Sequence, residues 1–321
     1  MRREAGSEPG GLSDWHAHWL PPSFVEYVGR RRTPPLLTSA DGKLQLVGVN
    51  GARHTVAKGL GDIDERLRAL DRLGIERQVL SLPGLFGVDT ATCEDPVSLV
   101  QVFNEGLADI VQQRGDRFSG LASLPLARLE EAPAVLDYAL TKLGLSGAIL
   151  PADAFADKET ALRFDDVLRV ANDAAAHIFV HPGPLPASKP MGTAYADEAA
   201  ALRKGVFDIQ NGLTAAAITL EFTDFLDAYP ALTLHLANLG GNLAFLAERI
   251  AHGAGRYNLT PEQSDGRLKR IYVDTASFGP RAIELAARTF GRDRILFGSD
   301  APFFLEPAPG SPVLAGGINR D

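Results

Sequence analysis

The sequence predicts an α/β protein whose single domain is a (β/α)8 TIM barrel. From about residue 62 onward, apolar runs typical of strands alternate with segments of helical periodicity, which is the pattern of βα units repeated around a parallel sheet. Together with one run near the N-terminus, the strand-like runs number eight. Polar residues stand at the ends of several runs, as they do where the strands of a parallel barrel converge on one mouth.

Hydrophobic periodicity predicts the individual elements. Leu67, Leu70 and Leu73 share one face of a predicted helix over residues 64–73, and a second helix is predicted over residues 97–114. The predicted strands span residues 12–18, 77–82, 118–124, 147–150, 177–181, 232–238, 271–274 and 295–299. A doubly wound sheet also alternates strands and helices, so the polar strand ends decide in favour of a barrel.

Three segments lie outside this alternation. Residues 1–11 are rich in Gly, Glu and Arg and have no apolar core, so we expect a disordered leader there and the domain at residues 12–321. Residues 20–60 form an excursion, rich in Gly and Pro, after the first strand. Its length predicts an insertion that acts as a lid or contacts substrate. After Asp300 several prolines leave little room for a closing eighth helix.

Charge and composition exclude several classes of function. A formal charge of −8 and a pI near 5.4 argue against a nucleic-acid-binding surface, because such surfaces neutralise phosphates with clustered Lys and Arg. The sequence has no apolar run long enough to span a bilayer. Cys93 is the only cysteine, which excludes an intramolecular disulfide. We therefore expect a cytoplasmic protein that binds neither nucleic acid nor membrane.

Three histidines and one aspartate stand at predicted strand ends in a pattern suited to a metal. Period-2 geometry puts His16 and His18 on one face of the first strand. His181 closes the fifth strand and Asp300 follows the eighth, so all four side chains are expected at the barrel mouth. Three imidazoles and a carboxylate form a ligand set for one divalent ion, with zinc the favoured metal.

Three motifs carry a resemblance to a known family: Asp14-x-His16-x-His18, His181-Pro182 and Phe297-Gly298-Ser299-Asp300-Ala301-Pro302-Phe303. Over about residues 12 to 306, the chain resembles the amidohydrolase-related family, particularly the branch with aminocarboxymuconate-semialdehyde decarboxylase. The resemblance implies a barrel of the metal-dependent hydrolase type. It also implies a metal-bound water and a general base, Asp300, that accepts a proton from this water. Two-metal relatives have a Lys at the end of the fourth strand, where this chain has Leu150-Pro151, so one metal is expected.

Asn238 is the main departure from the family pattern. Family members carry a histidine at the end of the sixth strand, and an alignment of Leu239-Gly240-Gly241 and Arg249 without a gap puts Asn238 at that position. Asn donates a hydrogen bond to a carbonyl or oxyanion but does not exchange a proton near neutral pH. We therefore interpret Asn238 as a catalytic hydrogen-bonding residue. His235, three residues earlier, is predicted to point to the opposite face and pack between strand and helix.

Two arginines suit a small substrate that carries a carboxylate, because a guanidinium binds carboxylate through two parallel hydrogen bonds. The resemblance assigns this role to Arg53 and to Arg249, and the family's dimers donate the second arginine across the subunit interface. A homodimer is therefore expected. A surface salt bridge is the alternative for each arginine. For His54, which follows Arg53, an exposed loop position is favoured over a place in the site.

Two reactions fit these residues. Non-oxidative decarboxylation of a small unsaturated or aromatic acid is favoured by the family branch, the paired arginines and the single metal. The alternative is hydrolysis of an ester, lactone or amide, in which Asp300 activates water and Asn238 polarises the carbonyl. A barrel that binds a ligand without catalysis is the third interpretation, because a family histidine is missing.

Overall fold

An eight-stranded parallel sheet forms the centre of the molecule. The computed structural model describes residues 11–49, 51–186, 197–260, 263, 265, 267–276 and 278–303. The strands in these ranges are Leu12–His18 (β1), Leu36–Ala40 (β2), Lys43–Val47 (β3), Arg53–Thr55 (β4), Ile75–Ser81 (β5), Phe118–Ala122 (β6), Gly147–Pro151 (β7), His177–His181 (β8), Thr233–Leu236 (β9), Tyr272–Asp274 (β10) and Ile295–Leu296 (β11). Eight of them pair in the order β1-β5-β6-β7-β8-β9-β10-β11, and every pairing is parallel.

The chain after β11 returns to β1 and nearly closes the sheet into the predicted barrel. The Trp15 N–H donates to the Phe297 carbonyl at 2.8 Å, and the His18 N–H donates to the Ala301 carbonyl at 2.7 Å. Between these two bonds, the Asp300 N–H donates to the His16 carbonyl at 2.8 Å. Backbone hydrogen bonds of this seam therefore hold Asp300 beside the two histidines of β1.

Helices accompany the strands. The α-helices in the described ranges are Pro22–Gly29 (α1), Ile63–Leu73 (α2), Pro96–Gln113 (α3), Ala132–Thr141 (α4), Lys158–Leu162 (α5), Asp165–Asp173 (α6), Ala200–Leu202 (α7), Ile209–Phe222 (α8), Leu243–His252 (α9) and Pro280–Phe290 (α10). Local chemistry sets their ends. Before α2, the Asp62 carboxylate caps the Glu65 N–H at 2.8 Å, and Gly74 ends the helix with a φ of 68°. None of the described helices is long and apolar enough to cross a membrane.

The segment between β1 and α2 contains α1 and a small antiparallel sheet of order β2-β3-β4. Phe24 of α1 and Leu46 of β3 are buried, so both parts are packed onto the rest of the molecule. The function of this segment as a lid or substrate-contacting insertion stays a prediction. Apart from Gly11, the predicted leader lies outside the described residues, as does the chain after residue 303, where little room for an eighth helix was expected.

Four strands, β5, β6, β9 and β11, end earlier than the sequence predicts, and at β9 and β11 the difference affects candidate site residues. β9 ends at Leu236 rather than Asn238, and β11 ends at Leu296 rather than Ser299. The backbone turns at these points, with a φ of 53° at Asn238 and 56° at Asp300. These values lie in the left-handed region, which strand pairing does not use. Asn238 and Asp300 therefore lie in turns beyond the strand ends.

Candidate metal centre

Three histidine side chains meet at the carboxyl ends of β1 and β8. His16 and His18 flank Ala17 on β1, so that their imidazoles share the interior face, and His181 is the last residue of β8. The nitrogen atoms available as metal ligands all lie within 4.8 Å of one another, and all three residues are buried. The fold thus brings together three residues that are far apart in the sequence.

Hydrogen bonds at Nδ1 leave the Nε2 atom of each ring for a ligand. The Nδ1 partners are Asp274 Oδ2 at 2.9 Å for His16, Ser81 Oγ at 3.1 Å for His18 and the Pro182 carbonyl at 2.8 Å for His181. The Nε2 atom of His16 is buried and has no hydrogen-bond partner in the described part of the chain. Such an atom costs free energy unless something satisfies it. These rings, oriented by their Nδ1 partners, fit a bound cation.

Asp300 lies against the same cluster. Its Oδ1 atom is 3.4 Å from His18 Nε2 and 3.6 Å from His16 Nε2, and its side chain is only 15% exposed. Burial raises the pKa of Asp300, but the neighbouring His16 and His18 lower it by more, to about 2. The carboxylate is therefore ionised at neutral pH and adds negative charge beside the three imidazoles.

The histidines differ in how tightly they hold a proton. Burial lowers the pKa of His16, but the carboxylates of Asp274 and Asp300 more than offset this effect and raise it to about 9. Burial lowers the pKa of His18 and of His181 below the ordinary histidine value. Because only a neutral imidazole is a metal ligand, cation binding must displace a proton from His16.

Asp274, the last residue of β10, joins His16 to the turn after β9. Its Oδ2 atom lies 2.9 Å from His16 Nδ1 and 3.1 Å from His235 Nε2. Its Oδ1 atom accepts the N–H groups of Asn238 at 2.9 Å and Ala276 at 3.0 Å. Burial raises the pKa of Asp274, but His16 lowers it by more, so the carboxylate is ionised. The sequence analysis assigned no function to Asp274. The signal that could have identified it is the presence of an aspartate at the end of a buried strand.

Asp14 is a second buried carboxylate that sequence reasoning treated only as part of a motif. Its Oδ1 atom accepts the N–H groups of His16 at 3.1 Å and Ser299 at 3.0 Å. Its Oδ2 atom accepts Ser299 Oγ and Gln78 Nε2, both at 2.6 Å. Buried Arg66 donates in turn to Gln78 Oε1 at 2.7 Å. Asp14 therefore ties β1 to β5 and to the residue that precedes Asp300.

Asn238 is buried in the turn after β9. Its side-chain Oδ1 atom is buried and has no hydrogen-bond partner among the described residues, whereas its N–H is bonded to Asp274. The side-chain amide thus offers a buried acceptor that no described residue satisfies. A catalytic function for Asn238 remains a prediction.

The prediction that His235 packs between strand and helix is wrong. Its ring stacks on Phe179 with the centroids 4.2 Å apart, and Phe179 contacts the ring of His16 at 4.8 Å. His235 Nδ1 lies 2.7 Å from His177 Nε2. These contacts put His235 inside the barrel, next to the metal centre. The prediction counted alternating side-chain directions back from Asn238 along the strand. It fails because β9 ends at Leu236, so Asn238 lies outside the strand and does not follow its alternation.

Comparison with known proteins agrees with this geometry, since residues 13–314 match the amidohydrolase family. The chain belongs to the amidohydrolase family. The family and the cluster of His16, His18 and His181 together support the binding of a divalent metal ion.

Several known relatives of this amidohydrolase are decarboxylases. It is 24% identical over 313 residues to 2-amino-3-carboxymuconate-6-semialdehyde decarboxylase from Dictyostelium discoideum, covering 94% of this chain and 84% of the relative. It is 26% identical over 256 residues to gamma-resorcylate decarboxylase from Polaromonas sp., covering 75% and 77%. Its fold resembles that of 5-carboxyvanillate decarboxylase from Novosphingobium aromaticivorans complexed with manganese, with a TM-score of 0.66, 17% identity and coverage of 94% and 89%.

The two arginines predicted to bind substrate lie on the surface of this amidohydrolase. Arg53 is exposed on β4, and Arg249 is exposed on α9. Neither side chain forms a hydrogen bond or ion pair with another residue in the described ranges. Within one chain, the fold therefore does not join either arginine to the histidine cluster.

A row of aromatic rings leads from His18 to β4. Phe303 lies 5.8 Å from the His18 ring, Phe86 lies 6.2 Å from Phe303, and His54 stacks on Phe86 at 4.9 Å. His54 is thus half-buried on a strand rather than exposed in a loop as predicted, because stacking on Phe86 covers one side of its ring. Burial lowers the pKa of His54. These rings form a wall beside the metal centre of the amidohydrolase.

Two glycines allow the backbone to approach the ligand histidines closely. A Cβ atom on Gly298 would lie 2.8 Å from His16 Cβ and 3.0 Å from Asp274 Cβ. A Cβ atom on Gly84 would lie 2.9 Å from His181 Nδ1. Neither position has room for a side chain unless a ligand or its hydrogen-bond partner moves.

Proposed function

We propose that this amidohydrolase is a non-oxidative decarboxylase of a small unsaturated or aromatic carboxylic acid. In this proposal one zinc ion is held by His16, His18, His181 and Asp300, because zinc accepts imidazole and carboxylate ligands together. The observation that carries the proposal is the carboxylate of Asp300 beside the buried histidines, with Oδ1 3.4 Å from His18 Nε2. The reaction class comes from the names of the relatives, which are decarboxylases.

Decarboxylation requires a proton at the carbon that loses the carboxylate. The carbon–carbon bond breaks, its electron pair stays on the substrate carbon, carbon dioxide leaves, and that carbon takes up a proton. Asp300 is our candidate for this proton transfer. Because its pKa is about 2, Asp300 begins ionised, takes a proton from a substrate hydroxyl or from water, and then passes it to carbon. When bound, the metal ion supplies Lewis acidity toward the oxygen atoms of the substrate.

Asn238 would orient the substrate in this reaction. Its buried Oδ1 atom has no partner among the described residues and accepts a donor group such as a hydroxyl. Its NH2 group donates to a carbonyl or carboxylate oxygen in the same way. Since an amide exchanges no proton near neutral pH, Asp300 alone would carry the proton.

Arg53 and Arg249 are the proposed partners of the substrate carboxylate. Because Arg249 is exposed on α9, in this proposal it serves the site of a neighbouring subunit in a homodimer. The rings of Phe86 and Phe303, 6.2 Å apart, favour a flat conjugated substrate, which gains contact area against aromatic walls. The homodimer, the zinc ion and the cytoplasmic location belong to the proposal.

Hydrolysis of an ester, lactone or amide is the second candidate. The specific observation in its favour is Asn238, a neutral amide at the position where the resemblance led us to expect a histidine. Hydrolysis needs one general base, for which Asp300 suffices, and a donor that stabilises negative charge on the carbonyl oxygen, for which the amide of Asn238 suffices.

Product analysis separates the two candidates. Zinc-loaded protein is incubated with aromatic and unsaturated carboxylic acids, beginning with 2,6-dihydroxybenzoate and 5-carboxyvanillate, and in parallel with lactones and esters. We expect carbon dioxide release from at least one acid, reduced by roughly 10²–10⁴ in Asp300→Asn, which keeps the side-chain shape but removes the base. Hydrolysis without release of carbon dioxide from any acid would replace the first candidate with the second. Equal turnover in Asp300→Asn would contradict the function given to Asp300.

A further inference from the structure

We propose that His235, with His177 behind it, is a positioning residue of the metal centre: it holds Asp274 in the orientation that fixes the His16 ring. The proposal goes beyond the reaction, since it rests on the metal site alone and holds for decarboxylase and hydrolase alike. Its basis is a continuous row of buried side chains that starts at the metal ligand His16 and ends at the first residue of β8.

The row has three hydrogen-bond contacts. His16 Nδ1 lies 2.9 Å from Asp274 Oδ2, the same oxygen lies 3.1 Å from His235 Nε2, and His235 Nδ1 lies 2.7 Å from His177 Nε2. All four residues are buried, and His235 and Asp274 have no exposed surface at all. Bulk water therefore does not reach the centre of the row in the folded protein.

The direction of each hydrogen bond follows from the carboxylate. The Asp274 Oδ2 atom lies within hydrogen-bond distance of an imidazole nitrogen on each side, and a carboxylate oxygen accepts, so His235 carries a proton on Nε2 and donates. Burial lowers the pKa of His235, so its ring is neutral and its Nδ1 atom is an acceptor. His177 consequently donates from Nε2. Each donor in the row has one acceptor, and the arrangement fixes His16 with Nδ1–H toward Asp274 and Nε2 toward the metal position.

Packing fixes the same rings in space. Phe179 stacks on His235 with an angle of 6° between the planes, and its edge contacts the rings of His16 at 4.8 Å and His181 at 5.5 Å. Trp15 lies 5.3 Å from the ring of His177. A rotation of His235 about its side-chain bonds would therefore disturb both the hydrogen bond to Asp274 and the ring that supports two ligands.

A purely structural function for His235 is the competing explanation, and the two explanations differ in metal binding. His235→Phe keeps a flat ring against Phe179 but removes both hydrogen bonds. His235→Gln restores a donor for Asp274 and an acceptor for His177. The matched control is Asn104→Leu, which removes two buried hydrogen bonds to Ser123, of 2.9 and 2.8 Å, in a region not joined to the row.

The test measures the dissociation constant for Zn²⁺ by competition with a chromophoric chelator, and the visible spectrum of the Co²⁺-loaded protein. We expect His235→Phe to weaken metal binding by about 10–100-fold, as loss of an outer partner of a ligand histidine commonly does, and to shift the cobalt bands. His235→Gln should recover most of the affinity. Asn104→Leu should lower the melting temperature without changing the dissociation constant.

Two results would overturn the proposal. One is unchanged zinc affinity and an unchanged cobalt spectrum in folded His235→Phe. The other is a loss of affinity in Asn104→Leu as large as that in His235→Phe, since this would show that general destabilisation is the cause. If His235→Phe does not fold, His177→Phe takes its place, because it removes the donor to His235 Nδ1 and should weaken zinc binding by a smaller factor. Unchanged binding in that variant would equally overturn the proposal.

Discussion

At the scale of single residues, two polar side chains owe their positions to unusual backbone conformations. Asp300 and Asn238 have φ values of 56° and 53°, and a non-glycine residue in this region costs on the order of 1 kcal/mol. Hydrogen bonds compensate: the Asp300 N–H binds the His16 carbonyl, and the Asn238 N–H binds Asp274. Strain of this kind is concentrated at functional sites. It takes both residues out of the strand ladder, and Asp300 Oδ1 comes to lie 3.4 Å from His18 Nε2.

Substitution of Asn238 separates the two candidate reactions. If decarboxylation needs a histidine as a second acid or base, Asn238→His should raise it by a factor within roughly 10²–10⁴. If Asn238 stabilises a carbonyl oxygen, the same change should lower hydrolysis, and Asn238→Ala should cost about 10²–10³ in turnover. Steady-state kinetics of both variants, with the substrate that the screen identifies, provide the measurement. Unchanged rates in both would show that Asn238 has no catalytic function.

Asp89, buried in the loop after β5, gives a prediction about stability that does not involve the metal. Burial raises its pKa from 3.8 to about 7. Between these values the folded state binds the proton more tightly than the unfolded state, so the stability that this proton provides is lost as the pH rises toward 7. Asn stays neutral at both pH values. The free energy of unfolding of Asp89→Asn relative to that of the wild type should therefore be higher at pH 8 than at pH 4.5, by on the order of a few kcal/mol.

Urea unfolding of both proteins at the two pH values measures this difference. Asp109→Asn, the same substitution at an exposed position of α3, is the control. An Asp89→Asn effect that is the same at pH 4.5 and pH 8 would contradict the prediction.

At the scale of elements, hydrophobic periodicity predicted most strands well. β1 and β8 have the predicted bounds, and they carry the three histidines. β9 and β11 were predicted too long, because a pattern of apolar residues does not reveal the left-handed turn at Asn238 or Asp300. The same error misplaced His235. The bond between His16 and Asp274 joins residues 258 positions apart, and only closure of the barrel brings such residues together.

The small sheet β2–β4 was also beyond the sequence prediction. The Gly and Pro content of residues 20–60 was interpreted as a long excursion, whereas short antiparallel strands need few residues each and leave a weak periodic signal. His54 shows the consequence. Its stacking on Phe86, a residue of the loop after β5, depends on how two distant segments pack, so neither residue alone predicted the aromatic wall.

The close approach of the chain after β11 to the metal ligands predicts a specific steric effect. A Cβ atom on Gly298 would meet His16 Cβ at 2.8 Å and Asp274 Cβ at 3.0 Å, so Gly298→Ala should cost about 1–3 kcal/mol of stability and weaken zinc binding. Gly61→Ala is the matched control, since a Cβ atom there meets nothing within 4 Å. Thermal unfolding and zinc titration of both variants test the idea. Equal zinc affinity in the two variants would refute the predicted contact with His16.

At the scale of the whole molecule, the outer surface of α9 is the feature that connects the site to assembly. Arg249 is exposed there, and Phe245, one turn earlier on the same face, is 78% exposed. An apolar ring and a guanidinium side by side are typical of residues that make large contributions to binding at protein interfaces. This surface is where the proposed homodimer would bring Arg249 to a neighbouring site.

Mixed dimers test whether the subunits share a site. When an Arg249→Ala subunit pairs with a His181→Ala subunit, one of the two sites has all three histidines from the first subunit and Arg249 from the second. Activity should therefore recover relative to either variant alone. The measurement is turnover by heterodimers isolated with two different affinity tags. Absence of recovery in verified heterodimers would mean that Arg249 does not act across a subunit interface.

The most direct test of the central claim is the metal content of the protein and of its ligand variants. After removal of metal with a chelator and dialysis against zinc, elemental analysis should find one zinc ion per wild-type chain. His16→Ala and His181→Ala should retain far less zinc while remaining folded by circular dichroism, because each change removes one imidazole from the buried cluster. A wild-type protein without stoichiometric metal, or variants that bind zinc as well as the wild type does, would contradict a metal centre at His16, His18 and His181.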